Sequence, residues 1–216
     1  MTYEGLRLKL LKYYRIAFAK ARRKELKNTE FTIISNNCWG GMVYESYDLP
    51  KESPTTGLFF MASDYIKFLS DIKGYLEKEL VFIDPKNSRY IDVLKSDKRF
   101  GSYPIGMLGD IEIMFLHYHS PQEAKDKWER RIKRINWDKL IVKFKDQNGC
   151  TADDVKAFAN LPYKHKLFFT IKDCPVAKWG GYCKIRQHTQ DSCVTASHEP
   201  FGKNRYVDLT KLINSL

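Results

Sequence analysis

Apolar residues recur along this chain with two different periods, and the change from one to the other marks out its elements. Over residues 3–27, Leu6, Leu10, Leu11, Tyr14, Ala17 and Phe18 recur at helical spacing between lysines and arginines, which predicts a basic amphipathic helix. Asn28-Thr29-Glu30 breaks that pattern, and Phe31–Ile34 is a short β-rich run. The run stops abruptly in Ser35-Asn36-Asn37-Cys38-Trp39-Gly40-Gly41. Met42 to Tyr47 shows no decisive period, and the prolines at 50 and 54 make 49–54 a loop. Gly57 to Met61 reads as a buried strand. Ser63 reads as the N-cap of a helix that runs to about Lys78 on Tyr65, Ile66, Leu69, Ile72 and Leu76.

The second half repeats the alternation. Val81–Ile83 is a brief strand, 84–87 a turn, and 90–94 a further strand candidate. Residues 103–108 and 111–118 read as two strands joined around Gly109-Asp110, a hairpin signal. Ser120-Pro121-Gln122-Glu123 is a capping box with proline at the first helical position, and it opens a helix to about Ile135. Lys139–Phe144 is a strand. Thr151 and Asp154 cap a short helix through Asn160, and Lys166–Ile171 is another strand. Residues 173–204 read as irregular, with a last strand over 205–208 and a final helical turn. Strands alternating with helices predict an α/β fold: three layers, α/β/α, with a mixed, largely parallel sheet, plus the N-terminal amphipathic helix. The expected organisation is a basic helix over 1–28 and a single α/β domain over 29–216.

Charge adds a partner class to this picture. Among 216 residues the net charge is +11, which favours an anionic partner. Arg7, Lys9, Lys12, Arg15, Lys20, Arg22, Arg23, Lys24 and Lys27 crowd the first helix against only Glu4 and Glu25. Such a helix can lie on an anionic membrane. Docking on the domain or on a second subunit of a homodimer is the expectation, because its apolar face is short and contains tyrosine. The charges elsewhere are dispersed and no nucleic-acid-binding pattern is present, so nucleic acid is not an expected partner. No window approaches about 18 uninterrupted apolar residues. No signal peptide is legible, and five cysteines without a CxxC pair suit reduced thiols in the cytoplasm.

The strand end at 35–41 is the richest chemistry in the chain. An α/β protein usually presents its site where a strand gives way to a turn. Ser35, Asn36 and Asn37 offer a hydroxyl and two carboxamides, and Gly40 and Gly41 offer backbone that a ligand can approach. Cys38 is a candidate nucleophile, with the alternative that it is a small buried hydrophobe. Trp39 is a candidate stacking platform. His117 and His119, two apart on an expected strand and so on one side of it, are candidates for general base. A metal held by them with Asp110 or Glu112, or by His188, Cys193 and His198, matches no ligand spacing, and no metal site is expected. On the helix after Ser120, Lys127, Arg130, Arg131 and Arg134 form a stripe beside an apolar face of Ala124, Trp128, Ile132 and Ile135. Two arginines a turn apart can hold a diphosphate by paired donors. Dinucleotide, P-loop, serine-hydrolase and zinc-protease motifs are all missing, so no cofactor is expected.

Taken together, Ile33 to Gly41, Ser53-Pro54, Tyr103-Pro104, Phe115-Leu116-His117-Tyr118, Trp128-Glu129-Arg130-Arg131 and Arg134-Ile135-Asn136 resemble a bacterial family of unknown-function domains whose members are often labelled exopolysaccharide or capsule biosynthesis proteins. The resemblance implies a cytoplasmic α/β protein associated with glycan assembly, and it brings no catalytic residues with it. The expected function is a transferase acting on an anionic activated donor such as a nucleotide sugar. Without an Asp-x-Asp clamp, glycosyl transfer would be metal-independent. The alternatives are a Cys38-dependent acyltransferase or hydrolase, and a non-catalytic accessory protein docked on an anionic membrane or glycan.

Overall fold

A computed structural model describes residues 3–173, 181–184, 201–203 and 206–216. Its centre is a parallel sheet in the order β1 (Thr32–Ser35), β5 (Leu140–Lys145), β6 (His165–Thr170), β7 (Tyr182–Lys184). Ser35 lies opposite Lys143, and Phe144 opposite Phe168. Successive side chains leave a strand on opposite faces. Ile34, Val142, Phe144 and Phe168 therefore enter one apolar core, and Ile33, Ile141, Leu167 and Phe169 a second. Covered on both faces, these strands are the parallel layer of an α/β protein, as the alternation of elements predicts.

The hairpin does not join that sheet. β3 (Ile105–Leu108) and β4 (Ile111–Met114) pair antiparallel with each other and with β2 (Leu80–Ile83), and these three form a separate sheet. Gly109, at φ 64°, supplies the positive dihedral that a two-residue hairpin turn needs at its first central position. The strand expected over 57–61 is reduced to a single bridge from Phe59 to Met114. The one expected over 90–94 is a helical turn, α6 (Ile91–Leu94).

The helices largely follow their caps. α7 (Pro121–Ile132) begins at Ser120, whose hydroxyl accepts from the Glu123 amide at 3.1 Å, and α8 (Ala152–Asn160) carries the full Thr151/Asp154 capping box. Met42–Tyr47, ambiguous by period, belongs to α3 (Trp39–Ser46). The helix expected over 63–78 divides at Asp71 into α4 (Ala62–Ser70) and α5 (Ile72–Glu77). The Asp71 carboxylate accepts from the Gly74 amide at 3.0 Å and starts the second segment. The N-terminal helix divides likewise into α1 (Tyr3–Ala17) and α2 (Ala19–Arg23), and α9 (Leu209–Asn214) closes the described chain. β7 lies in a stretch read as irregular, while His188, Cys193, His198 and Arg205 lie outside the described residues. No helix among the described residues is long and apolar enough to cross a membrane.

The docked face of α1 differs from the expected one. Leu11 packs toward the second core, and Arg15 is buried, pairing with Glu45 at 3.0 Å and donating to Met42 Sδ at 3.2 Å. Arg22 is buried as well, donating to the carbonyls of Tyr14, Arg15 and Ser46. Leu6, Leu10, Tyr14 and Phe18, expected to dock, are exposed. Guanidinium groups that find carbonyl and carboxylate partners anchor this helix in place of an apolar stripe.

Candidate functional site

At the C-terminal edge of the parallel sheet, β1 turns through Asn36, Asn37 and Cys38 into α3. Asn36 is buried and extends the sheet beyond its last backbone pair. Its Nδ2 donates to the Lys145 carbonyl at 2.9 Å, and its Oδ1 accepts from the Lys145 amide at 3.1 Å. Asn37 is buried beside it. Its Oδ1 accepts from the Trp39 amide at 3.1 Å, fixing the first turn of α3, and from Lys143 Nζ at 2.9 Å, while its Nδ2 donates to Gln147 Oε1 at 3.3 Å. Ser35 is buried too, and its hydroxyl donates to Asn37 Oδ1 at 3.3 Å. These three residues, expected to face a ligand, spend their polar groups on the protein. The physical reason is that a strand end covered on both faces leaves its carboxamides no water, so they bond to backbone instead.

Trp39 is corrected in the same way. It is 1% exposed, and its ring meets Phe169 edge-on at 5.4 Å inside the second core, so it is not available for stacking on a ligand. The glycines serve close packing. A Cβ on Gly40 would lie 3.1 Å from Ile33 Cγ2, and one on Gly41 2.8 Å from Thr56 Cγ2. Both belong to the first turn of α3, where amides have no intrahelical acceptor.

Beneath the turn lie two buried lysines that the sequence reading passes over. Lys143 and Lys145 leave β5 on the same face as Ile141. Lys145 pairs with Asp146 at 2.6 Å, and Asp146 also accepts from the Thr170 hydroxyl. Among the described residues, Lys143 meets the Asn36 and Asn37 oxygens and the faces of Trp39 and Phe169. Burial, reinforced by the Lys145 charge, holds its amine well below the ordinary value of 10.5. The folded state thus binds this proton less readily than the unfolded chain, and its contribution to stability rises with pH up to about that ordinary value. Lys143→Met is expected to stabilise the protein at neutral pH, by on the order of 1 kcal/mol, and to shrink the rise on the alkaline side. Urea melts at neutral and mildly alkaline pH check this. A destabilised variant would show that the cluster needs the amine.

Above the turn opens a cleft of about 360 Å³. Cys38 and Gly41 line it from β1 and α3, Thr56 and Gly57 from the loop that covers β1, His117 from the turn after β4, and Lys127 and Arg131 from α7. The loop is tied to β1, since Thr55 Oγ1 accepts from the Ser35 amide at 3.0 Å. The turn is tied to the loop, since the His117 amide donates to the Gly57 carbonyl at 2.9 Å and the Tyr118 hydroxyl to the Thr56 carbonyl at 2.6 Å. Cys38 and His117, about eighty residues apart in sequence, thus share one cavity.

Arg131 is the arginine that reaches it. Ala124, Trp128 and Arg131 fall on the buried face of α7, and Arg131 Nη1 donates to the Tyr118 hydroxyl at 2.6 Å. Its Nε and the Thr56 Oγ1 are buried without a hydrogen-bond partner among the described residues. The other cations of the walls are Lys51, 3.8 Å from Glu45, and Lys127, paired with Glu123 at 2.6 Å, and Glu45 is the one carboxylate among the lining residues. Arg130 is exposed and does not line the cleft. Arg134 lies past the end of α7, pairs with Glu52 at 2.6 Å and lines a different cleft with Trp137. The paired grip of Arg130 and Arg134 therefore does not form, because α7 stops at Ile132.

The histidines separate as well. β4 ends at Met114, so strand alternation does not reach 117–119. His119 is outside the cleft lining, and its amide donates to Glu123 Oε2 at 2.9 Å. Burial, with Arg99 and Lys51 adding to it, holds the His117 imidazole below its ordinary 6.5, so it is neutral and able to take a proton at neutral pH. Burial pushes the Cys38 thiol up, against the smaller pull of Lys143, so the thiol is protonated at neutral pH and poorly nucleophilic. Cys38, Cys150 and Cys183 are free thiols. Asp110 bonds Tyr75 and Lys67, and buried Glu112 accepts from Ser88 and the Arg89 amide. No group of three metal-ligating side chains exists among the described residues.

An α/β protein with a cation-walled cleft at the C-terminal edge of a parallel sheet is a common arrangement for binding small anions. The model of a domain of unknown function, DUF1919, matches residues 10–216, and the chain belongs to that family. An uncharacterized protein of Haemophilus influenzae is 32% identical over 182 residues, 84% of this chain and 82% of that protein. Neither description mentions glycan assembly or any activity.

Proposed function

We propose that the protein is a transferase acting on an anionic activated donor, such as a nucleotide sugar, in exopolysaccharide or glycan assembly. The observation that carries the anionic donor is the set of cations that line the cleft, Arg131, Lys127 and Lys51, against one carboxylate, Glu45. A guanidinium and two ammonium groups around one cavity suit the oxygens of a phosphate. The first-turn amide of Gly41 stands at the same wall, where a helix start favours negative charge. Lys51 and Lys127 would neutralise a diphosphate leaving group, and His117 would accept the proton of the attacking hydroxyl. The setting in glycan assembly rests on the motif resemblance alone.

Thermal shifts with a panel of nucleotide sugars and sugar phosphates test the donor class. A binder at a hundred times its Kd adds about 2.7 kcal/mol of stability. Arg131→Met is expected to weaken that binder about 10- to 100-fold, the worth of a hydrogen bond to a charged group. No shift with any of the compounds, or a shift that Arg131→Met leaves intact, would overturn the reading.

A further inference from the structure

We propose that α1 is a docking surface for an anionic lipid bilayer. The helix has two opposed faces. Leu11 and Arg15 turn toward α3 and hold the helix on the domain. A half-turn away, Leu6, Leu10, Tyr13 and Ala17 follow the i, i+4, i+7, i+11 spacing of one continuous stripe, with Tyr14, Ile16 and Phe18 beside it. Leu6, Leu10, Tyr13, Tyr14, Ile16 and Phe18 are 48–67% exposed, and they make up most of the large exposed apolar side chains of the described residues. Such a concentration on one helix is unlike the scattered apolar residues of an ordinary surface.

Charge selects the occupant. Lys9 and Lys12 stand on the flank of the stripe, and Lys20 and Lys24 continue the basic edge along and beyond α2; all four are exposed. A stripe of leucine and tyrosine edged by lysines fits the boundary between acyl chains and phosphate headgroups, with the amines snorkelling to the phosphates. A second copy of the chain fits it poorly. Two-fold pairing of the stripe would set the basic flank of each copy against that of the other. The inference is independent of the transferase reading, since no residue of α1 lines the Cys38 cleft.

Co-sedimentation of the full chain with phosphatidylcholine vesicles, with and without phosphatidylglycerol, tests it. The expected result is partition onto the anionic vesicles at least about tenfold stronger than onto the neutral ones, weakening with added salt. Lys9→Glu/Lys12→Glu is expected to abolish the preference for anionic vesicles. Leu10→Ser/Tyr13→Ser is expected to remove binding to both, with the melting temperature unchanged because both side chains already face solvent. Absence of partition, or partition that survives both variants, would overturn the proposal. So would a lipid-free dimer that Leu10→Ser/Tyr13→Ser converts to monomer, which would assign the stripe to a second copy.

Discussion

Trp39→Ala is expected to destabilise the protein by about 3–5 kcal/mol, the usual cost of removing a fully buried tryptophan from a core. The indole is 1% exposed, meets Phe169 at 5.4 Å and covers the Lys143 amine. Removing it leaves a cavity under the first turn of α3 and opens a buried amine to it. Trp39→Phe keeps most of the apolar contact and is expected to cost clearly less. Its indole nitrogen has no partner to lose. Chemical denaturation of the two variants measures both numbers. If Trp39→Ala melts like the wild type yet loses ligand, the indole belongs to the cleft and its placement in the core is refuted.

If the proposed transfer holds, His117→Gln is expected to lower its rate about 10²- to 10⁴-fold while leaving donor affinity within a few fold, as for loss of a general base. The wild-type rate should rise with pH through an inflection below 6.5 and then flatten, because the imidazole is held below its ordinary value. Below that inflection the protonated ring adds a cation to the cleft, so donor binding should tighten as the rate falls. The glutamine variant should lack both effects. An unchanged pH profile in that variant would assign the proton transfer to another group. His119→Gln serves as the control, since that residue is not among those lining the cleft.

The sequence spoke most clearly where a local rule decides the structure. Ser120, Pro121 and Glu123 start α7, and Thr151 with Asp154 starts α8, because capping is settled within four residues. The strand end at Ser35 was legible as well, but the turn read through Gly41 gives way at Trp39 to α3. The chemistry of that strand end was not legible, because the loss of water around Asn36 and Asn37 depends on β5, more than a hundred residues away. Lys143 and Lys145 alternate with Val142 and Phe144, a pattern that ordinarily marks a strand with one wet face. Only the knowledge that β5 lies between two parallel neighbours turns those lysines inward, and that pairing is nonlocal. The arginine stripe failed because Arg130 stays on the exposed side of α7 and Arg134 lies two residues past its end at Ile132. The apolar side of α1 was found, but helical periodicity alone does not say which side rests on the body of the molecule when arginines make the anchor.

The double link between Asn36 and the backbone of Lys145 divides the pocket into a fixed floor and an adjustable rim. The floor, at Cys38 beside that link, cannot change shape without disturbing two neighbouring strands. The rim, at Lys51 and Lys127, is carried by partly exposed side chains. A designer wishing to retarget this molecule to another anion would therefore diversify the rim and leave the floor untouched.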